Sequence, residues 1–157
     1  MPRRKYDHHK APPDTRYNSI SVSKLINIVM KDGKKTVAQD IVYGALDALK
    51  EKKLDPIEVL NKAVEEVSPR FTVRPRRIGG ASYMVPKETT PKHRLFLAIS
   101  WVVAAARERS NKEFHTFQAK LVTELEEAYQ GKGEAVNKRI QTEKLAEQNK
   151  VFAHFAW

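Results

Sequence analysis

Arg74, Arg76 and Arg77 stand just ahead of the glycine pair Gly79-Gly80, with Ser82 and Tyr83 immediately beyond it. Guanidinium forks grip phosphate oxygens bidentately and stack on planar rings. Paired glycines permit a tight reversal and also let a sugar-phosphate chain come close to the backbone. In a strand, positions 74 and 76 share a face and 77 points the other way, so a ribbon built here can touch a polyanion from two sides. Tyr83 can stack on a base or pack the base of the ribbon. Arg70 and Arg94 flank the same stretch, Lys34 and Lys35 form a second basic pair, and Arg3, Arg4, Lys5 and Lys10 crowd the start of the chain. The chemistry these residues can do is phosphate recognition.

Catalytic chemistry has much less to stand on. His8, His9, His93, His115 and His154 are scattered and show no metal-ligand spacing. Neither Gly33-Lys34-Lys35 nor Gly131-Lys132-Gly133 is preceded by the first glycine of a phosphate-binding nucleotide loop. The chain has no cysteine, which removes disulfides, thiolate zinc sites and a thiol nucleophile. Glu124, Glu126 and Glu127 read as ordinary charge on a solvent-facing helical side. No metal, no cofactor and no enzymatic activity are expected.

The charge is strongly localised. The 157 residues carry 29 lysines and arginines against 19 acids, a net of +10 with a pI near 9.8. Residues 1–18 hold five basic against two acidic residues, a net of +3. Residues 69–94 hold seven basic residues against Glu88 alone, a net of +6. The rest of the chain is close to neutral. Two short segments with nearly all the excess point to a polyanion-binding surface rather than a generally solvated one.

The elements that position these residues are mostly helices. A chain of this length forms one domain with its own core. No run reaches the ~18 apolar residues of a membrane span. Residues 1–18 have no apolar period and read as a basic arm that orders on its partner. Ser19 or Ser21 opens a first helix with Val22, Leu25, Ile26 and Val29 on one stripe, closed by Asp32-Gly33. A second helix carries Val37, Ile41, Ala45 and Leu49. Asp55-Pro56-Ile57-Glu58 starts a third, with Asp55 as cap and Glu58 reaching back, and Ile57, Leu60, Val64 and Val67 inward. Phe71, Val73, Tyr83 and Val85 alternate about Gly79-Gly80, which predicts a hairpin at about 71–87. Pro75 and Pro86 confine its strands to edges. Thr90-Pro91 restarts a helix through Leu95, Ala98, Ile99, Val102, Val103 and Ala106, with Trp101 packed. Another carries Phe114, Phe117, Leu121, Leu125 and Ala128 and ends at Gly131. The last helix, about 134–150, is weakly amphipathic, and residues 151–157 form an aromatic tail whose rings fold back or meet a partner. The expectation is a mainly α fold, a bundle of about six helices with one protruding β-hairpin on a domain spanning 19–150.

Several stretches are specific. They include M-K-D-G-K-K at 30–35, A-V-E-E-V-S-P at 63–69 and R-R-I-G-G-A-S-Y-M-V-P at 76–86. W-V-V-A-A-A-R-E-R at 101–109, G-K-G-E-A-V-N-K-R at 131–139 and A-E-Q-N-K-V-F-A-H-F-A-W at 146–157 complete the set. Over its whole length the chain resembles the bacterial form of the universal small-subunit ribosomal protein seven family. That resemblance implies a cytoplasmic ribosomal protein that binds the 3′ major domain of 16S rRNA and nucleates head assembly. It implies rRNA contacts at Arg3, Arg4, Lys5, Lys10, Lys34, Lys35, Arg76, Arg77, Gly79 and Gly80, to which the basic stretch adds Arg70, Arg74 and Arg94. Arg77, Gly79, Gly80, Ser82 and Tyr83 would lie near the exit-site tRNA, with the mRNA path close by. Phe152, His154, Phe155 and Trp157 would meet a neighbouring protein, with small-subunit proteins nine and eleven as partners and no homo-oligomer in the working state. Ser100, Glu108 and Ala156 depart from positions that are commonly basic in relatives. The competing reading is a DNA-bending architectural protein that uses the basic ribbon as a minor-groove arm.

Overall fold

Caps and prolines set much of the frame seen in a computed structural model, which describes residues 12–156. The elements run α1 (Ile20–Val29), α2 (Lys35–Glu51), α3 (Pro56–Val67), β1 (Phe71–Ile78), β2 (Ala81–Glu88), α4 (Pro91–Glu108), α5 (Phe117–Tyr129) and α6 (Glu134–Gln148). A terminal 3-10 helix, Lys150–Phe155, follows. Asp55 accepts a hydrogen bond from the Ile57 N–H at 2.9 Å, with Pro56 at the first helical position. Glu58 is exposed, and the bond back to the cap expected of it is not among those formed. Pro91 likewise opens α4 after Thr90. At the end of α5, Gly131 adopts φ +73°, its N–H bonds the Ala128 carbonyl, and the Lys132 N–H bonds the Glu127 carbonyl. This double bond is a Schellman close, and it requires a residue at ease in the left-handed region.

α5 lies at the centre of the body and packs against α2, α3 and α4. Leu121, Leu125 and Ala128 are fully buried there with Leu46, Leu49, Ala63 and Ala106. α1 contributes Val22, Leu25, Ile26 and Val29, the stripe read from its spacing. α4 buries the expected Ala98, Ile99, Val102, Val103 and Ala106 and α5 the expected Leu121, Leu125 and Ala128, but in α2 and α3 the inward face is partly rotated from the one expected. α2 buries Ala38, Val42, Ala45, Leu46 and Leu49, while Val37 is 52 % exposed and Ile41 only half-buried. α3 buries Val59, Leu60, Ala63 and Val67, with Ile57 and Val64 at the margin. Phe114 lies outside α5, which begins at Phe117 after its Thr116 cap. One residue along a helix turns a side chain by about 100°, and contact with α1 and α5 decides which side of α2 is covered.

The end of the segment read as a basic arm is anchored on α2. Asp14, 7 % exposed, accepts hydrogen bonds from the backbone N–H groups of Arg16 (3.0 Å) and Tyr17 (3.1 Å) and from the Tyr43 hydroxyl (2.7 Å). Tyr17 and Arg16 both reach Asp47, and the Arg16 guanidinium lies 5.2 Å from the Tyr43 ring centre. Burial pushes the Asp14 carboxyl pKa up, but the bonds from Tyr43, Tyr17, Arg16 and Thr15 outweigh it and hold the group below its ordinary value. A depressed folded pKa stabilises the fold above the unfolded value and loses that contribution as pH falls through the folded one. Asp14→Asn is therefore expected to lower stability at neutral pH by about 1–3 kcal/mol. In melts of both proteins from pH 7 to 3, the gap should shrink below roughly pH 4. A gap that stays constant with pH would show that the ionised carboxylate is not what holds the segment.

Candidate nucleic-acid interface

The ribbon is antiparallel, with Phe71 opposite Glu88 and Ile78 opposite Ala81, so only Gly79 and Gly80 remain at the turn. Their φ values of +57° and +89° fit a two-residue turn of the mirror-image kind, whose twist matches that of the strands. A Cβ at either position would meet nothing within 4 Å, so backbone conformation and not crowding selects glycine there. Apart from Ile78, residues 77–82 are exposed.

The register fixes which way each arginine faces. Arg74 pairs across with Val85, Arg76 with Tyr83 and Arg77 with Ser82. Residues opposite one another in an antiparallel pair share a face, so Arg74 and Arg76 lie with Tyr83 and Val85, and Arg77 lies on the reverse with Ser82. Arg74 and Arg77 are exposed and make no hydrogen bond or ion pair among the described residues. The ribbon thus presents one guanidinium on each side.

Arg76 is occupied differently. Its Nη1 donates to the Phe155 carbonyl oxygen at 3.1 Å. The Tyr83 ring stands 5.2 Å from the Phe152 ring and 5.7 Å from that of Phe155, centre to centre. The Phe152 and Phe155 rings therefore fold back on the ribbon, and Tyr83 packs against them. A two-stranded ribbon is marginal by itself in water. Here the terminal 3-10 helix braces β2 and α6 lies along β1. Exposed His154 sets its Nδ1 2.8 Å from the Val151 carbonyl oxygen, an arrangement in which Nδ1–H is the donor.

The remaining basic residues lie on the flanks of the ribbon and on the helices beyond it. Arg70 is exposed, and its backbone N–H donates to Glu143 of α6 at 2.9 Å. Arg94 is half-buried, with Nε donating to the Ser68 hydroxyl at 3.2 Å. Lys34 and Lys35 are exposed at the start of α2, beyond a turn in which Asp32 and Gly33 both take positive φ. Arg107, which the sequence reading passed over, joins them from the end of α4, and its Nη2 donates to the Ile28 and Val29 carbonyl oxygens at 3.3 Å. A cation in the last turn of a helix was the available signal. Arg3, Arg4, Lys5, Lys10 and Trp157 lie outside the described residues.

One expectation is overturned. Glu124 is not on a solvent-facing side: it is 0 % exposed, accepts from Arg109 Nε at 2.9 Å and from Arg109 Nη2, and receives the Ala135 N–H at 3.2 Å. Arg109 also bonds Glu127. Burial lowers the Arg109 pKa, but its hydrogen bonds to Glu127 and Glu124 outweigh this and hold it above the ordinary value. Lys120, also buried, donates to the Arg109 carbonyl and to Asn111. These charges tie α4, α5 and α6 together and leave the exposed cations of the arm for an outside partner. Among the described residues no group of His, Asp and Glu is placed to hold a metal ion. No described helix is long and apolar enough to cross a membrane.

Comparison with known proteins matches residues 1–150 to the family described as ribosomal protein S7p/S5e. The small ribosomal subunit protein uS7 of Hydrogenobaculum sp. is 51 % identical over 160 residues, covering all of both chains. Those of Dictyoglomus turgidum and Thermotoga neapolitana are each 49 % identical, again over the full length of both chains. A chain whose described residues form a helical body with one basic hairpin, and which is matched over its whole length in this way, belongs to the ribosomal protein S7p/S5e family of structural, non-enzymatic constituents of the small ribosomal subunit.

Proposed function

We propose that this chain is a primary rRNA-binding protein that engages the 3′ major domain of 16S rRNA and nucleates assembly of the head. In this reading the hairpin tip lies near the exit-site tRNA and the mRNA path, and small-subunit proteins nine and eleven are neighbours. The observation that carries it is the placement of charge: the +6 segment at 69–94 is the hairpin with its flanks, and Arg74 and Arg77 project from opposite faces of it. A-form major grooves are too deep and narrow for side chains to read, so junctions and loops are the targets this arm suits. Phosphate neutralisation by the arm and by Lys34 and Lys35 supplies affinity, and RNA shape supplies the choice of site.

The test is filter binding of the full chain to a transcript of the rRNA 3′ major domain over a salt series, with duplex DNA and an unrelated structured RNA as competitors. Retention that neither competitor displaces is expected. Equal competition by all three would reduce the arm to a general polyanion patch and overturn the assignment.

A further inference from the structure

Away from the hairpin, the chain has a concave surface where the end of α1, the start of α2, the end of α4 and the start of α5 meet. It is a cleft of about 320 Å³. Its floor is apolar: Met30, Val37, Ile41 and Phe117 line it, and Val37 stays 52 % exposed. Its rim carries Lys31, Lys34 and Arg107, and no acidic side chain lines it. Arg107 is held in place by the two carbonyl oxygens at the end of α1. A solvated surface would mix charges of both signs over such a patch. An apolar recess ringed by cations alone fits a ligand with a flat apolar part and an attached anion.

We infer that this cleft receives one unpaired nucleotide of the bound RNA, its base on the Met30–Val37–Ile41–Phe117 floor and its flanking phosphates on Lys31, Lys34 and Arg107. The inference rests on the rRNA-binding reading above and deepens it. Base faces inside a duplex are covered by their neighbours, so only an unstacked base can fill an apolar recess, and bases presented in loops and junctions are the ones proteins capture singly. Lys34, to which the reading above gives phosphate neutralisation, also lines this cleft. Phe117 adds a ring to the floor, and base contacts of this kind tolerate any sequence because every base has a π-face.

The probe is hexauridylate, titrated into the full chain labelled at its methyl groups and compared with an abasic ribose-phosphate hexamer of equal charge. Chemical-shift changes at the methyls of Met30, Val37 and Ile41 are expected with hexauridylate and absent with the abasic oligomer. Val37→Asp, placed at an exposed position to preserve the fold, should erase those shifts and weaken retention of the rRNA transcript by about tenfold, the order of one lost base contact. Equal shifts with both oligomers, or none with either, would overturn the nucleotide site. So would an acidic apolar peptide that fills the cleft more tightly than hexauridylate. Failure of the transcript itself to bind would instead remove the rRNA reading, so the two failures are separable.

Discussion

Arg109→Leu is expected to destabilise the fold by about 3–5 kcal/mol, because it strands a carboxylate with no water around it. Glu124 is 0 % exposed, and Arg109 supplies two of the three hydrogen bonds that satisfy it; the Ala135 N–H is the third. For a chain of this size that loss corresponds to a fall in Tm of roughly 10 °C or more. The diagnostic result is the double variant. Replacing Glu124 as well, Arg109→Leu with Glu124→Leu, removes the stranded charge and is expected to recover a substantial part of the loss, because a buried ion pair often contributes little net stability over well-packed apolar groups. Urea melts of the wild type, both single variants and the double variant close the cycle. A double variant no more stable than the sum of the two single losses would show that the pair has no private coupling and that the damage comes from packing alone.

What made the arm legible and this ion pair illegible is distance along the chain. The hairpin announces itself within eighteen residues: alternation on either side of Gly79-Gly80, with a turn only glycine fits comfortably. The start of α3 is equally local, since Asp55 and Pro56 carry it between them. Glu124 sits on a helix between apolar neighbours and looks like one of three surface acids. Its burial depends on Arg109, on the Ala135 N–H beyond the next turn and on α4 closing over it, none of which a helical period records. The inward side of α2 failed for a related reason. Val37-Ile41 and Ala38-Val42 are both apolar pairs at helical spacing, and the covered one is chosen by α1 and α5. The aromatic tail carries no sign of its own of where its rings pack, because the contacts of Phe152 and Phe155 are with Tyr83 and Arg76, about seventy residues earlier. The type of partner was readable because charge concentration needs no geometry. Which arginines of the ribbon are open to a partner needed the register, which separates exposed Arg74 and Arg77 from tail-bound Arg76.

That separation predicts unequal roles for the three arginines in RNA binding. Arg74→Ala with Arg77→Ala should leave thermal stability within about 0.5 kcal/mol of the wild type, since both side chains are exposed and unpaired among the described residues. Affinity for the rRNA transcript should fall by roughly a hundredfold at fixed salt, taking each lost charge-assisted hydrogen bond at about 1.5 kcal/mol. The slope of log affinity against log salt should flatten by about 0.7–0.9 for each phosphate contact removed. Arg76→Ala should behave otherwise: its bond to the Phe155 carbonyl is lost, the terminal 3-10 helix loosens from β2, and the salt slope changes less than in the double variant. Limited proteolysis with carboxypeptidase reads the first effect and the salt series reads the second. If Arg76→Ala flattened the slope as much as the double variant while the tail stayed protected, Arg76 would be a phosphate ligand and the division of labour along the ribbon would be wrong. If the double variant bound with an unchanged slope, the polyanion would lie elsewhere on the chain, and Lys34, Lys35 and the cleft beside them would become the surface to test.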